Sequence, residues 1–445
     1  MLTIMDTDKI TEKLGITMSQ MQRAAAAAII QGSGNVEVLS PTGSGKTLAY
    51  LLPLAQLIDA KSDELQAVVI VPGRELAIQS AEVLASLKAG VRGYACHGGR
   101  SAMDEHRELR KLMPHVVFAT PGRLNDHLDK ANIDPSGVRW TVIDEFDKCL
   151  QMGFADEMNH AMERMPKTAR RIFLSATNMA DDGRANGELS PVGFHIVDFL
   201  ENSDDYKDRV KINIVNSPDK DKLRTLANLL ACLGDESTIV FLNYRDSVER
   251  TADFLRSEGF SLTAYHGGLD QSQREEAIYR FANGSANILI STNLGSRGLD
   301  IPNVRNIVHY HLPETEEDYT HRVGRTARWD KTGETYFILS EGETLPDYVD
   351  ATICDFEFPE NLPAPAKSRM TTLYIGKGKK DKVSKGDILG FLCKTGGLKG
   401  AEIGRIDVYD YYAYAAVDNR KLNFVLKNVQ GCKIKGKRTK VEEMR

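Results

Sequence analysis

Residues 40–47 read Ser-Pro-Thr-Gly-Ser-Gly-Lys-Thr, and this stretch decides the fold of the first part of the chain. It follows an apolar run at 36–39, which predicts a buried strand, and precedes residues 48–52, which predict the start of a helix. A strand, a glycine-rich turn and a helix beginning near Gly-Lys-Thr are typical of a phosphate-binding loop.

The residue types suit that chemistry. Gly43 and Gly45 let backbone N–H groups surround an anion, and the helix N-terminus adds positive potential. We predict that Lys46 reaches the β- and γ-phosphates of ATP and that Thr47 ligates Mg²⁺. The same site includes Ser40, Thr42 and Ser44, although Ser40 stands where the usual pattern has glycine. A chance turn of this composition is the alternative.

Composition and charge set the class of protein. The 445 residues are 42% hydrophobic and 27% charged, as in soluble globular chains, and the length suggests roughly three domains. The sequence shows neither a long apolar run nor a signal peptide, so we expect a cytoplasmic protein without membrane attachment. Residues 370–445 carry 13 Lys and 4 Arg against 5 Asp and 3 Glu, a net charge of +9, whereas the rest carries −14. A basic tail on an acidic body indicates a polyanionic partner.

Alternating strand and helix patterns predict two α/β domains with parallel sheets. We expect a helix over 6–31 and strands at 67–71, 116–119, 140–143, 172–174, 238–242, 262–265, 287–291 and 306–310. The predicted organisation is a first domain at 1–200, a linker at 201–221, a second domain at 222–357, a proline-rich linker at 358–369 and a basic domain at 370–445. That basic domain has a β-α-β-β-α-β pattern, typical of an RNA-recognition module.

Two further motifs fit ATP hydrolysis. Asp144 and Glu145 follow an apolar run, so we predict that Asp144 ligates Mg²⁺ and that Glu145 positions or deprotonates the attacking water. Arg325 and Arg328 are three residues apart, so one helical face would present both to a γ-phosphate after domain closure. The structural alternatives are an exposed acidic strand end and a solvated basic helix.

Over residues 10–355 the chain resembles the DEAD-box RNA helicases, which are superfamily-two proteins built from two RecA-like phosphate-loop domains. The motifs that carry this resemblance occur in the family's order. They are Gln22, Pro-Gly-Arg-Glu-Leu-Ala at 72–77, Gly98-Gly99, Thr-Pro-Gly-Arg at 120–123, Asp-Glu-Phe-Asp at 144–147, Ser-Ala-Thr at 175–177, Gln-Ser-Gln-Arg at 271–274, Thr292, Arg-Gly-Leu-Asp at 297–300 and His-Arg-Val-Gly-Arg-Thr-Ala-Arg at 321–328.

The resemblance implies roles for individual residues. Gln22 would read adenine and Asp300 would face the ribose, while Asp147, Ser175 and Thr177 would couple hydrolysis to strand separation. The RNA backbone would be held by Arg74, Gly98, Gly99, Thr120, Arg123, Gln271, Arg274 and Thr292. Such groups bind phosphates without reading bases.

The chain departs from the family pattern at a few positions. Phe146 replaces the alanine of Asp-Glu-Ala-Asp, Met18 and Gln20 replace prolines near the adenine-reading glutamine, and Asn293 replaces the usual aspartate after Thr292. The side chains with assigned chemistry remain, so we expect activity to survive.

The basic domain resembles the tail of the DbpA group of DEAD-box proteins at residues 387–390, 404–406 and 436–437. That resemblance implies a hairpin of 23S ribosomal RNA as target and a role in large-subunit assembly. The expected RNA contacts are Lys377, Lys379, Lys380, Lys435 and Lys437. The tyrosines Tyr409, Tyr411 and Tyr412 match the aromatic signature of ordinary modules poorly, so they either stack on bases or simply pack.

The sequence therefore predicts a monomeric RNA helicase that uses ATP and Mg²⁺ and acts on RNA of the pre-ribosomal large subunit. Two alternatives stay open: an RNA-binding assembly scaffold with weak ATPase activity, and a DNA-directed motor of the same superfamily.

Overall fold

The computed structural model describes residues 10–12, 15, 17–41, 43–98, 101–178, 185–200, 210–296, 304–326, 333–349 and 353–444, with only the backbone at Gln271 and Ser296. The chain divides into two compact units, with the boundary near residue 208. No helix in the described ranges combines the length and the apolar character needed to cross a membrane.

The first unit contains a parallel sheet whose described strands follow the order β3-β4-β2-β5-β6-β1-β7. The strands are β1 (Val36–Leu39), β2 (Ala67–Ile70), β3 (Gly93–Cys96), β4 (Val116–Ala119), β5 (Trp140–Ile143), β6 (Arg170–Ser175) and β7 (His195–Asp198). The helices are α1 (Gln20–Gln31), α2 (Lys46–Leu57), α3 (Arg74–Ser86), α4 (Ala102–Leu112), α5 (Pro121–Asp129), α6 (Phe146–Gln151) and α7 (Ala155–Glu163). Strands β2 and β4 are apolar and fully buried, as expected for a sheet covered on both faces.

The second unit begins with another parallel sheet, in the order β10-β11-β9-β12-β13-β8-β14. Its strands are β8 (Val210–Ser217), β9 (Thr238–Phe241), β10 (Leu262–Tyr265), β11 (Ile288–Ser291), β12 (Asn306–His309), β13 (Gly333–Ser340) and β14 (Ile353–Asp355). Its helices are α8 (Leu223–Leu233), α9 (Arg245–Ser257), α10 (Gln271–Ala282) and α11 (Glu316–Val323). Both sheets have the same relative strand order, so the chain repeats one architecture.

The C-terminal domain belongs to the second unit and has an antiparallel sheet in the order β16-β17-β15-β20. Its elements are β15 (Met370–Ile375), α12 (Lys385–Lys394), β16 (Ile403–Val408), β17 (Ala413–Asp418), α13 (Leu422–Val429), a short hairpin of β18 (Lys433–Ile434) and β19 (Lys437–Arg438), and β20 (Val441–Glu443). Apolar residues of both helices and one sheet face form its core. The predicted fold class, two RecA-like domains and an α+β RNA-recognition-like domain, is confirmed.

Three expectations about segments were wrong in part. The predicted linker at 201–221 contains strand β8, in which four of the eight residues are polar, so the segment resembles linker sequence. The predicted helix over 6–31 is interrupted, because Ser19 is extended and caps α1 through a capping box with Gln22. The last strand of the predicted β-α-β-β-α-β pattern is instead the β18–β19 hairpin followed by β20. The remaining domain boundaries stay predictions.

Candidate nucleotide and RNA site

The phosphate-binding loop joins the buried strand β1 to α2. Gly43 and Gly45 have φ angles of 80° and 88°, in the left-handed region that glycine adopts without steric cost. Lys46 is only 7% exposed. Its Nζ donates to the carbonyl oxygens of Ser40 and Pro41, at 2.6 and 3.1 Å. The lysine is therefore held over the loop, next to the space that phosphates would occupy. Thr42 lies outside the described residues.

The groups around this loop fit a nucleotide with a divalent cation. Ser44 Oγ is buried and has no hydrogen-bond partner among the described residues, so it is available to a phosphate oxygen. Thr47 Oγ1 lies 3.4 Å from Asp144 Oδ2, to which it donates. A hydroxyl beside a carboxylate is the oxygen-donor chemistry that Mg²⁺ prefers. The residues thus fit both groups.

Asp144 and Glu145 stand immediately after β5. The Asp144 side chain accepts from the Glu145 backbone N–H at 3.0 Å. Burial first, and the Glu145 charge second, raise the pKa of Asp144 to about 7. A carboxylate in such surroundings favours a cationic partner, which would restore its ionised form. Glu145 itself has a φ of 50°, a strained conformation for a non-glycine residue that is common at functional sites.

Asp147 connects the acidic motif to the Ser-Ala-Thr segment. Its Oδ2 accepts from the Ala176 N–H at 3.2 Å and lies 3.5 Å from Thr177 Oγ1. Ser175 Oγ donates to the Thr177 carbonyl oxygen at 2.6 Å, and the Ser175 carbonyl oxygen accepts from the Ser40 N–H at 3.0 Å. The structure therefore brings the three predicted coupling residues together with the start of the phosphate loop.

Gln22 supports the loop from α1. Its Nε2 donates to the Gly45 carbonyl oxygen at 3.1 Å, and its Oε1 accepts from the Ser19 N–H at 2.9 Å. The carboxamide, fully buried, thus holds the glycine that precedes Lys46. Its contact with adenine stays a prediction.

The predicted RNA contacts of the first domain follow the carboxyl ends of strands. Arg74 begins α3 after β2, Gly98 follows β3, and Thr120 precedes α5 after β4. A Cβ atom at Gly98 would meet no described heavy atom within 4 Å, so this turn is open to a ligand backbone. Gly99 lies outside the described residues.

Arg123, the last of these contacts, has a different environment. Its side chain is 13% exposed, and its Nε lies 3.4 Å from Glu105 Oε2. Glu105 is fully buried and also accepts from the His97 backbone N–H and from His127 Nε2, both at 3.0 Å. The carboxylate therefore ties the turn that follows β3 to helix α5.

Sequence reasoning missed Glu105. The structure reveals its role by burial, since Glu105 and Leu109 are the buried residues of α4. They are four positions apart and so share one face of the helix.

In the second unit, Arg274 supports a glycine turn. Its Nη2 donates to the Gly267 carbonyl oxygen at 2.8 Å, and the Thr292 N–H donates to the Tyr265 carbonyl oxygen at 3.4 Å. Gly267 and Gly268, which sequence reasoning missed, follow β10 as Gly98 and Gly99 follow β3. The repeated His-Gly-Gly at 97–99 and 266–268 would have identified them. The Gln271 side chain and Asp300 lie outside the description.

The arginine motif contains a buried hub at Arg322. Its Nε donates to Asn293 Oδ1, its Nη2 to Asn243 Oδ1 and its Nη1 to the His311 carbonyl oxygen, each at 2.8 Å. The departure at Asn293 is thus a neutral acceptor for this arginine. Arg325 is 4% exposed, and its action on a γ-phosphate stays a prediction. Arg328 is not among the described residues.

The C-terminal lysines gather on one surface, which we call the lysine face (Lys377, Lys379, Lys380, Lys382, Lys435 and Lys437). Asp381 pairs with Lys377 at 3.4 Å and with Lys437 at 3.0 Å. Lys435 Nζ donates to the Lys382 carbonyl oxygen at 2.7 Å. The β18–β19 hairpin therefore sits against the loop after β15, and all five predicted lysine contacts belong to this face.

The open face of the C-terminal sheet is covered within the second unit. Tyr414, 5% exposed, lies 5.0 Å from Tyr279 of α10, measured between ring centroids. Asn283 Nδ2 donates to the buried Thr372 Oγ1 at 2.9 Å. Tyr409 and Tyr412 stack on each other at 4.9 Å. These two tyrosines therefore pack on each other, and α10 covers the sheet face at Thr372 and Tyr414.

Comparisons with known proteins agree with this arrangement. Family models match as follows: DEAD/DEAH box helicase at residues 19–182, helicase conserved C-terminal domain at 221–330 and DbpA RNA binding domain at 372–443. The ATP-dependent RNA helicase DbpA of Escherichia coli K12 is 34% identical over 438 residues, covering 96% of this chain and 94% of the relative. DbpA of Bacillus subtilis 168 is 27% identical over 468 residues, covering 98% and 97%.

The fold also matches a solved structure. Dbp5 of S. cerevisiae, bound to RNA and ADP BeF3, superposes with a TM-score of 0.70 at 22% identity, over 79% of this chain and 93% of that one. Two helicase domains are followed in this chain by a DbpA-type RNA-binding domain. The alignments with the two DbpA relatives cover nearly the full length of both chains. The chain therefore belongs to the DEAD-box family of ATP-dependent RNA helicases and is of the DbpA type.

Proposed function

We propose that the chain uses ATP and Mg²⁺ to unwind or remodel RNA locally, with 23S ribosomal RNA of the assembling large subunit as its target. The observation that carries the proposal is an arrangement at one sheet edge. Thr47 is hydrogen-bonded to Asp144, Asp147 is hydrogen-bonded to Ala176 and Thr177, and the chain of the acidic motif joins the two aspartates. This arrangement connects groups suited to phosphate chemistry with a segment suited to signalling the state of the nucleotide.

Each side chain at this edge has a chemical task in the proposal. Lys46 and the loop N–H groups bind the β- and γ-phosphates, and Ser44 adds a hydroxyl. Thr47 and Asp144 would hold Mg²⁺, which when bound neutralises phosphate charge. Glu145 orients the attacking water and accepts its proton as the bond between the γ-phosphorus and the bridging oxygen breaks, giving ADP and phosphate.

Coupling follows from shared hydrogen bonds. Asp147 binds backbone and hydroxyl groups of residues 176–177, and Ser175 binds the loop at Ser40. Loss of the γ-phosphate would change the position of the acidic motif. The hydrogen bonds from Asp147 would then transmit that shift to the Ser-Ala-Thr segment.

RNA targeting is assigned to the C-terminal domain. The match of residues 372–443 to the DbpA RNA binding domain supports RNA binding there. The lysine face supplies six cations, of which Lys377 and Lys437 pair with Asp381 and Lys435 pairs with Asp387. Attachment through this face keeps the helicase domains near one RNA, which makes their engagement effectively intramolecular. A monomer acting in the cytoplasm stays a prediction.

Steady-state ATPase activity tests the proposal. Turnover at saturating ATP and fixed salt is compared without nucleic acid, with poly(U), with a DNA oligomer and with a 23S rRNA fragment containing the peptidyl-transferase region. Much stronger stimulation by the ribosomal fragment is expected. Equal stimulation by every RNA would remove the ribosomal target. Strong stimulation by DNA would favour the DNA-directed motor, and no stimulation would favour the scaffold.

Two variants separate the ATPase activity from the targeting of RNA. Glu145→Gln is expected to abolish turnover while ATP binding persists, and near-normal turnover would refute its role. Lys435→Glu with Lys437→Glu is expected to remove the preference for the ribosomal fragment but not stimulation by poly(U). Lys427→Glu in α13, outside the lysine face, is the matched control. Substitution is preferable to deleting residues 370–445, because deletion would uncover the buried Asn283–Thr372 contact.

A further inference from the structure

One tyrosine of the C-terminal domain does not pack. Tyr411 lies in the turn between β16 and β17 and is 64% exposed. Lys380 Nζ lies 4.4 Å from the centroid of its ring and donates to its hydroxyl at 2.6 Å. The turn thus presents an exposed aromatic ring together with a cation from the lysine face.

The turn that carries the ring is held in place by backbone hydrogen bonds. The N–H groups of Lys379 and Lys380 donate to the carbonyl oxygens of Tyr409 and Asp410, at 2.8 and 2.9 Å. A Cβ atom at Gly378 would lie 2.3 Å from the Tyr409 carbonyl oxygen. Only glycine allows the two segments to approach so closely. Gly378 therefore fixes the loop that follows β15 against the turn between β16 and β17.

Exposure of such a ring needs a physical reason. A large aromatic side chain left in water gives no burial energy, whereas the neighbouring tyrosines are packed. Tyrosine and lysine side by side match an unpaired nucleotide, because the ring stacks on a base and the ammonium binds the adjacent phosphate. A paired base inside a helix has both faces covered by its neighbours and offers none to such a ring.

We propose that Tyr411 and Lys380 form a stacking site for one unpaired RNA base, and that the lysine face holds the phosphates beside it. The inference rests on the proposed function, since it assigns part of that target recognition to a base that leaves its helix. It also places base recognition at the end of the sheet, in place of the sheet face covered by α10.

Equilibrium binding by the full chain without nucleotide tests the site, measured by fluorescence anisotropy at fixed salt. Three RNA probes are used: the 23S rRNA fragment, an unrelated hairpin with an unpaired loop, and a fully paired duplex long enough that its two end pairs are a small share of its length. Tyr411→Ala is expected to weaken binding of both RNAs with unpaired bases by roughly 5- to 150-fold and to leave the duplex unchanged. Tyr411→Phe keeps the ring and is expected to stay within about 3-fold of the unsubstituted chain.

Phe424 provides the matched control. It is 50% exposed and lies 5.9 Å from Lys421 Nζ, measured to the ring centroid. Phe424 belongs to α13 and sits beside Gly397, which follows the C-terminal end of α12. Lys380 lies in a different segment, the loop that follows β15. Phe424→Ala is expected to bind all three probes as the unsubstituted chain does.

The outcomes separate this inference from the proposed function. Unchanged affinity of Tyr411→Ala for the unrelated hairpin and the ribosomal fragment would overturn the stacking site. Equal loss on the duplex would also overturn it, because the residue would then act without an unpaired base. If the unsubstituted chain binds both non-duplex RNAs equally, the ribosomal target fails, while the hairpin still decides the stacking site.

Discussion

The phenylalanine at the centre of the acidic motif allows a quantitative test of the packing. Family members carry alanine at this position of Asp-Glu-Ala-Asp, whereas Phe146 here is fully buried. Its ring lies 4.7 Å from that of Phe173, which lies 4.9 Å from Phe194. Restoring the alanine leaves a ring-sized cavity. A change of this type costs about 3–5 kcal/mol of unfolding free energy, a large share of the roughly 5–15 kcal/mol typical of a domain.

Urea unfolding of the full chain measures this cost for Phe146→Ala. Trp140 of β5 reports on the first unit in a Trp329→Phe background, since the chain has two tryptophans. With a typical slope near 2 kcal/mol per molar urea, we expect the midpoint to fall by about 2 M. Phe146→Leu is expected to lose much less, and Met103→Ala, at a residue 65% exposed, is expected to lose almost nothing.

A loss below about 1 kcal/mol for Phe146→Ala would refute the reasoning. It would mean that the strands and α6 close around alanine without a cavity. A loss as large for Met103→Ala would show that the signal does not report on core packing.

Three other perturbations have defined outcomes. Asn293→Asp turns the neutral acceptor of Arg322 into a carboxylate and should stabilise the second unit by about 1–2 kcal/mol in urea unfolding. A lower midpoint would show that the desolvation cost of the carboxylate exceeds the gain from its hydrogen bond to Arg322. Burial, and next the Arg322 charge, lower the pKa of His309 well below its usual value. The unfolded ring protonates near pH 6.5, so stability falls as pH drops below that value, by up to about 1.4 kcal/mol per pH unit. His309→Asn should flatten that slope, and an unchanged slope would contradict the assignment. Lys46→Ala should lower ATP turnover at least about 100-fold in the ATPase assay, and near-normal turnover would remove Lys46 from the site.

Local patterns predicted the elements with strong signals. Strands β4 and β5 have the predicted bounds, because apolar runs between turn residues are specific signals for buried parallel strands. Strand β8 was missed, because half of its residues are polar and the segment resembles a linker. The spacing of motifs predicted the phosphate loop and the acidic pair, since each depends on residues adjacent in the chain.

Contacts between distant residues were beyond sequence reasoning. Glu105 is one acid among many in the sequence, and only its burial against Arg123 and His127 shows what it holds. The sequence likewise did not distinguish the tyrosines of the C-terminal domain by their exposure. Packing against Tyr279 encloses Tyr414, whereas Tyr411 stays in solvent.

The sequence by itself determined the chemistry and the architecture: a phosphate loop, an acidic motif, two parallel-sheet domains and a basic tail. These depend on short-range spacing and on the period of apolar residues, which one chain displays directly. Only the tertiary structure decided which arginines donate hydrogen bonds to buried acceptors and which aromatic ring faces water. Burial and hydrogen bonding between segments far apart in the chain are set by packing, and packing has no local signature.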